Sequence, residues 1–156
     1  MENIDREKAL RVWQRVQSAP EAQDLGYLAE EALTDGAVLL RLSRRFQGQW
    51  RKRLWDMSRQ EQHQGMVLKG IITVTRGSSP GIRAERVNLV RTESLLRRCW
   101  QRMERRSRIY GTMAADPEFG RIYADFAARE DAHCRQLLLL LGTIRGSDIP
   151  RRNGQP

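Results

Sequence analysis

The sequence predicts an all-α protein, folded as one four-helix bundle. Turn signals rich in Gly, Pro, Ser and Asp divide the 156 residues into long segments, and none of these segments alternates apolar and polar residues as a strand does. In four of the segments, apolar residues recur at steps of about three and four, the spacing that lines one face of a helix. The apolar content of 40% is enough for one core. We therefore predict four helices that bury their apolar faces together.

We divide the chain into three parts before assigning the helices. An arm over 1–20 contains a short amphipathic helix over 4–17, and a polar tail over 145–156 ends the chain. The bundle at 21–144 holds four predicted helices: 22–46, 49–76, 91–114 and 117–142. The last helix is expected to start at Asp116-Pro117, because Asp caps a helix and Pro suits its first position.

The lengths of the connections predict how the helices are arranged. The first two helices meet at Gly48 and the last two at Asp116-Pro117, so each pair forms an antiparallel hairpin. The link from Gly77 to Val90 has about fourteen residues and reaches roughly 45 Å when extended, whereas the second helix is roughly 37 Å long. This link is long enough to cross the whole bundle, so we predict two hairpins joined by a long crossover. An up-down-up-down bundle with an irregular third loop is the alternative.

Heptad spacing predicts which residues of each helix face inward. The first helix contributes Leu28, Ala32, Gly36, Leu39, Ser43 and Phe46. The second contributes Leu54, Met57, Glu61, Gln64, Leu68, Ile71 and Thr75. The third contributes Leu96, Cys99, Met103, Arg106, Tyr110 and Met113. The fourth contributes Phe119, Tyr123, Phe126, Glu130, His133, Leu137 and Leu140. Two of these stripes are polar at their middle.

The polar residues form two pairs, Glu61-x-x-Gln64 and Glu130-x-x-His133. A spacing of three places both members on one helix face. Burying a carboxylate costs several kcal/mol unless it is paired or bound to a metal. One interpretation is therefore a single divalent metal held by Glu61, Glu130 and His133, with help from Asp35 or Gln64.

Five stretches of the chain together resemble a known family. They are Glu31-Ala-Leu-Thr-Asp35, Leu42-Ser-Arg-Arg-Phe46, Leu54-Trp-Asp-Met-Ser-Arg-Gln-Glu-Gln-His-Gln64, Arg108-Ile-Tyr110 and Phe126-Ala-Ala-Arg-Glu130-Asp-Ala-His133. From about Leu25 to Gly142 the chain resembles a bacterial rubrerythrin-type, ferritin-like domain. The resemblance implies a ferritin-like four-helix bundle and a di-iron site that reduces peroxide or oxidises ferrous iron. It also implies that the first and third helices each supply a Glu, and that the second and fourth each supply Glu-x-x-His.

The implied set of six ligands is incomplete in this sequence. Three are present: Glu61, Glu130 and His133. The other three positions hold Gln64, Gly36 and Met103, with Asp35 one step from Gly36. Glycine supplies no ligand, and a thioether suits softer metals than iron. A conventional di-iron centre is therefore not expected.

Arg106 lies one turn after Met103 on the same predicted stripe. We hypothesise that its guanidinium group pairs with Glu61 or Glu130 and supplies the positive charge that metal ions supply in a complete site. The hypothesis rests on the heptad phase of the third helix.

These features predict a protein that is non-catalytic or binds metal weakly, and that acts in a binding or structural role. A residual metal-dependent oxidoreductase, using iron or another divalent metal at Glu61, Glu130 and His133, is the first alternative. No CxxC occurs, so the chain has no rubredoxin-like electron donor of its own. The second alternative is an arginine-rich adaptor for an anionic partner, since 28 basic residues against 19 acidic ones give a net charge of +9.

The sequence also suggests where the protein acts and with what partners. It shows no secretory signal and no apolar run of membrane-spanning length, so we expect a cytoplasmic protein. A homodimer is an open expectation from the resemblance. Nucleic acid is not an expected partner, because the arginines are scattered along the chain and the four tryptophans read as packing anchors: Trp13, Trp50, Trp55 and Trp100. His63 falls between stripe positions and is expected to face solvent.

Overall fold

The computed structural model describes residues 22–78, 81–88 and 90–147. These residues form four helices: α1, Ala22–Ser43; α2, Gly48–Arg76; α3, Thr92–Met113; and α4, Gly120–Ser147. No strand occurs in these three ranges, so the all-α prediction is confirmed. The predicted helix over 4–17 and most of the predicted tail lie outside the described residues. Helix α4 continues through Arg145 to Ser147, where the tail was expected to have begun.

Two clusters of buried residues, one at each end of the bundle, fix the directions of the helices. One cluster joins Leu39, Leu54, Leu96 and Leu137, which come from the end of α1, the start of α2, the start of α3 and the end of α4. The opposite ends of the same helices meet in the other cluster, which includes Leu28, Leu68, Tyr110 and Phe126. Helices α2 and α3 therefore run parallel, within two antiparallel hairpins. The prediction of a long crossover is confirmed, and the up-down-up-down alternative is wrong.

The crossover runs along α1 from one end of the bundle to the other. Ile82 packs against the cluster at the start of α1, and Val87 packs against the cluster at its end. Between them, the backbone N–H of Glu85 donates a hydrogen bond to Thr34 Oγ1 over 2.9 Å. The link thus covers one side of α1 and connects α2 to α3 without disturbing the packing of either hairpin.

The helix ends agree with the predicted ones to within three residues, except that α4 ends at Ser147 rather than at 142. Gly77, with φ of 81°, ends α2 and donates its backbone N–H to Thr73 O. Asp116 acts as the predicted cap, because its Oδ1 accepts the backbone N–H groups of Glu118 and Phe119, each over 2.8 Å. Residues 117–119 form a turn, so α4 begins at Gly120 rather than at Pro117.

Helices α1 and α2 approach closely at two buried glycines. A Cβ atom on Gly36 would lie 2.8 Å from Gln62 Cγ and 3.1 Å from Ser58 O. A Cβ atom on Gly65 would lie 2.6 Å from Leu33 Cγ. Side chains at these positions would force the helices apart. The contact is completed by Ser58 Oγ, which donates a 2.6 Å hydrogen bond to Gly36 O.

The predicted inward stripes face the core with few exceptions. Thr75 is exposed, and Phe46 and Phe119 are partly buried. Every other stripe residue, including the polar ones, is buried. Across the described parts of the chain, no helix is both long and apolar enough to cross a lipid bilayer.

Candidate functional site

The centre of the bundle is occupied by the guanidinium group of Arg106, whose side chain is fully buried. Nη1 lies 3.1 Å from Glu31 Oε1 and 2.7 Å from Asp35 Oδ2. Nη2 lies 3.2 Å from Glu61 Oε2 and 3.3 Å from Glu130 Oε2. One cation from α3 therefore contacts four carboxyl groups from α1, α2 and α4. The predicted pairing of Arg106 with Glu61 or Glu130 is confirmed, and it involves both.

We call these five residues and His133 the Arg106 cluster. Its geometry follows from the phases of the helices. On α3, Arg106 belongs to the inward stripe, while on α2 and α4 the two Glu residues occupy the middle of theirs. On α1, Glu31 and Asp35 are one turn apart and lie on the same face, beside the stripe.

The interpretation of Gly36 as a vacated ligand position needs correction. Gly36 packs against α2, where only a glycine fits. The α1 side of the cluster is instead filled by Asp35 and Glu31, both buried. Sequence reasoning had given Glu31 no role, although its spacing of four from Asp35 was a usable signal.

In the α1–α3 half of the cluster, each carboxylate has a second arginine. Arg102 Nη1 lies 3.3 Å from Asp35 Oδ1, and Arg105 pairs with Glu31. The Cys99 thiol also lies 3.6 Å from Asp35 Oδ1. Since Arg102 and Arg105 reach the cluster from its edge, this half has cations on both its buried and its solvent side. Neither arginine was predicted, because both lie one step away from the inward stripe of α3.

In the α2–α4 half, Arg106 is the nearest cation for two carboxyl groups. His133 Nδ1 lies 2.8 Å from Glu61 Oε1, and His133 Nε2 lies 2.6 Å from Gln60 Oε1. Neither oxygen of Glu130 accepts a hydrogen bond from any residue in the described ranges, although both are buried. One carboxylate oxygen of Glu130 lies within 4.8 Å of one of Glu61. Both carboxyl groups lie beside Arg106 Nη2, so the two glutamates share one guanidinium nitrogen.

The pKa values of this half move in the directions that burial dictates. Burial, and then the charge of Glu61, raise the pKa of Glu130 well above its ordinary value. Burial also raises the pKa of Glu61, against the opposing effects of Glu130 and Arg106. Burial lowers the pKa of His133 to about 4, so its imidazole is neutral at pH 7. In this half, burial thus favours the uncharged forms of both glutamates and of His133.

On the α1 side, the pKa of Asp35 is also raised by burial, but Arg106 and Arg102 both oppose the shift. Burial by itself would lower the pKa of Arg106, yet Asp35, Glu130 and Glu61 together hold it above its ordinary value. Arg106 therefore stays charged at any pH at which the protein is folded.

Gln64 lies beside the cluster but makes its contact elsewhere. Its Nε2 donates a 2.9 Å hydrogen bond to the hydroxyl oxygen of Tyr110. Its Oε1 is buried and accepts no hydrogen bond within the described chain. The Tyr110 ring in turn stacks on Tyr123, with ring centroids 6.5 Å apart, and meets Phe126 edge-on. Gln64 thus joins the polar centre to the aromatic end of the core.

Within the described residues, the potential metal-ligand atoms that come together are those of Glu61, Glu130 and His133, which lie within 4.8 Å of one another. Asp35 does not belong to this group. The residues do not fit the di-iron centre that the resemblance implies, because α3 supplies a thioether at Met103 and a cation at Arg106. The guanidinium contacts the carboxylates that two iron ions would need. The three grouped side chains do fit a single divalent ion, since two carboxylates and an imidazole form a common ligand set.

The remaining histidine, cysteine and tryptophan residues of the described chain differ in their exposure. His63 is exposed, as predicted. Cys99 and Cys134 are buried free thiols, and burial raises the pKa of both, which makes them poor nucleophiles. Trp50 and Trp100 pack against the core as expected. Trp55 does not, because 43% of it is exposed to solvent.

Comparison of this chain with protein-family models, with curated proteins and with solved structures finds no match.

Proposed function

We propose that this protein is a ferritin-type bundle in which a buried arginine takes the place of the metal ions, and that it acts in a binding or structural role. The observation behind the proposal is the position of Arg106, which contacts carboxyl groups from all three other helices. A guanidinium group is permanently charged and presents five N–H donors in a fixed plane. It satisfies buried carboxylates and offers no redox chemistry.

The electrostatics of the cluster support this reading. Four carboxyl groups face three guanidinium groups, those of Arg102, Arg105 and Arg106, and burial raises the pKa of Glu130, which favours its uncharged form. The cluster is thus close to neutral with its own residues. A complete carboxylate set for two metal ions would instead carry excess negative charge, which the ions themselves neutralise.

Elemental analysis of the protein, purified without chelators or metal-affinity resin, tests the proposal. We expect far less than one metal ion per chain, and we expect the same melting temperature with and without excess chelator. A protein that binds metal in its folded state loses stability when the metal is removed. About two iron ions per chain, lost together with stability on chelation, would overturn the proposal.

A second candidate is a single-metal oxidoreductase at Glu61, Glu130 and His133. It is favoured by the grouping of their ligand atoms and by the two oxygens of Glu130 without a donor. These side chains would hold the ion, and the ion would supply Lewis-acid or one-electron chemistry. The same elemental analysis decides between the candidates, because this one requires about one ion per chain in the wild type and none in Glu130→Gln.

A further inference from the structure

A basic cleft with an exposed tryptophan lies on the outside of the bundle, where α1 turns into α2. The cleft has a volume of about 400 Å³, and its lining includes Arg44, Gly48, Arg51, Lys52 and Trp55. Gly48 has φ of 63°, in the left-handed region, which lets the chain turn sharply between the helices. This turn brings an arginine that follows α1 against two basic residues near the start of α2.

The cations of the cleft have no salt-bridge partner in the described part of the chain. Among the residues that the structure describes, Arg44, Arg51 and Lys52 take part in none of the salt bridges. The first turn of α2 contains no acidic residue, and the side chain of Gln47 makes no capping hydrogen bond. The positive end of the α2 dipole therefore adds to the charge of the three side chains. The partner of such a surface is an anion.

Trp55 adds an exposed aromatic ring to the basic cleft. Its ring lies on the same face of α2 as Arg51 and Arg59, four residues away on either side. The Arg59 guanidinium carbon stands 4.9 Å from the ring centroid, a cation–π contact, and the ring still keeps 43% of its surface exposed. A phosphate ion or an acidic protein surface gains little from contact with an exposed indole ring. An unpaired nucleic-acid base, in contrast, stacks on such a ring.

We propose that this cleft binds single-stranded nucleic acid. Phosphates of the strand would contact Arg44, Arg51 and Lys52, and one base would stack on Trp55 beside Arg59. A duplex keeps its bases inside and leaves nothing for Trp55 to stack on. The scattered order of the arginines in the sequence concealed this surface, because the residues meet only when α1 and α2 fold into a hairpin.

Binding of fluorescein-labelled oligo(dT) of about 15 nucleotides to the full chain, followed by fluorescence anisotropy at several salt concentrations, tests the proposal. Three phosphate contacts predict that log affinity falls with log salt with a slope of about −2. Arg51→Gln with Lys52→Gln should weaken binding and reduce the slope by about 1.4. Trp55→Ala should weaken binding at least about five-fold without changing the slope.

The matched control is Arg121→Gln with Arg135→Gln, which removes the same charge from exposed positions on α4. If this control weakens binding as much as the cleft variant does, the protein attracts polyanions through its net charge and the proposal fails. It also fails if Trp55→Ala binds like the wild type, or if inorganic polyphosphate competes as well as unlabelled oligo(dT). The result is independent of the Arg106 cluster, because metal content and chelator stability do not report on this outer surface.

Discussion

The two halves of the Arg106 cluster bury similar groups and balance them in different ways. In the α1–α3 half, Asp35 and Glu31 each contact Arg106 and one further arginine. In the α2–α4 half, Glu61 and Glu130 share Arg106, a neutral His133 contacts Glu61, and burial raises the pKa of both glutamates. The α1–α3 half therefore depends on the permanent charges of its arginines, and the α2–α4 half on groups whose charges change with pH. The difference teaches that one buried arginine can serve two pairs of carboxyl groups whose other surroundings differ.

Removing Arg106 affects both halves and should have the largest effect. Arg106→Leu leaves four buried carboxyl groups without their common cation, and removing one partner of a buried pair costs about 3–5 kcal/mol. With four partners affected, we expect a loss above about 5 kcal/mol in urea unfolding at pH 7, enough to prevent folding of many domains. The loss should shrink towards pH 5 as the carboxyl groups take up protons.

The control for this substitution is Arg98→Leu, an exposed position on the same helix, which should change stability by about 0.5 kcal/mol or less. Equal stability of the two variants would mean that Arg106 does not organise the centre of the bundle.

Asp35→Asn tests the half with fixed charges. Asp35 lies 2.7 Å from Arg106 Nη1 and 3.3 Å from Arg102 Nη1, and its fully buried position offers no water to replace it. An amide keeps the shape but loses the charge and turns one acceptor into a donor. We expect a loss of about 3–5 kcal/mol in urea unfolding. Unchanged stability would show that the α1–α3 half is not held by its charges.

The pH dependence of the other half should follow His133. Its pKa of about 4 in the folded protein lies below its ordinary value of 6.5, so folding favours the neutral ring. This contribution to stability is complete above about pH 6.5 and is lost as the pH falls through 4, by up to about 3 kcal/mol in total. The raised pKa values of Glu61 and Glu130 have the opposite effect on stability. They favour the folded protein as the pH falls, because burial favours the protonated carboxyl groups.

The two contributions are separated by comparing the wild type with His133→Gln, since both proteins keep the glutamate pair. We expect the free energy of unfolding of the wild type, relative to the variant, to fall between pH 7 and pH 4. A relative free energy that rises as the pH falls would instead mean that His133 is protonated and forms an ion pair with Glu61.

Glu130→Gln gives the smallest effect and the opposite sign to Asp35→Asn. Glu130 receives no hydrogen bond in the described structure, and its charge is opposed by that of Glu61. An amide at this position removes a titratable group and can donate to Glu61 permanently. We expect thermal and urea unfolding at pH 7 to show unchanged stability or a gain of about 1–2 kcal/mol. A loss comparable to that of Asp35→Asn would show that the two halves are balanced in the same way.

The sequence predicted the α2–α4 half better than the α1–α3 half, for a geometric reason. Glu61, Glu130 and His133 lie on the inward stripes, so helical periodicity alone placed them at the centre. Glu31 and Asp35 lie beside the stripe of α1 and enter the cluster because α1 packs tightly on α2 at Gly36. That close approach depends on a contact between two helices, which periodicity within one helix does not contain.

The long side chains were the hardest to predict. Arg102 and Arg105 lie one step off the stripe of α3, yet their lengths let the guanidinium groups reach back to α1. The crossover was predictable because a length requirement determines it, and it runs the full bundle as that length required. The basic cleft was not predictable from the sequence, because its residues come from both sides of the α1–α2 turn and become neighbours only in the folded protein.

Arg106 has a consequence for how the two hairpins come together. Apolar stripes of Leu, Met and Ile tolerate a slip of one helical turn, because one apolar contact replaces another at little cost. If α3 slipped along α1, the guanidinium group of Arg106 would lie among aliphatic side chains. The carboxylates of the α2–α4 half would then face one another without a cation between them. Arg106, at the middle of α3, therefore sets the register in which the two hairpins dock. The apolar contacts on either side of it hold the hairpins together.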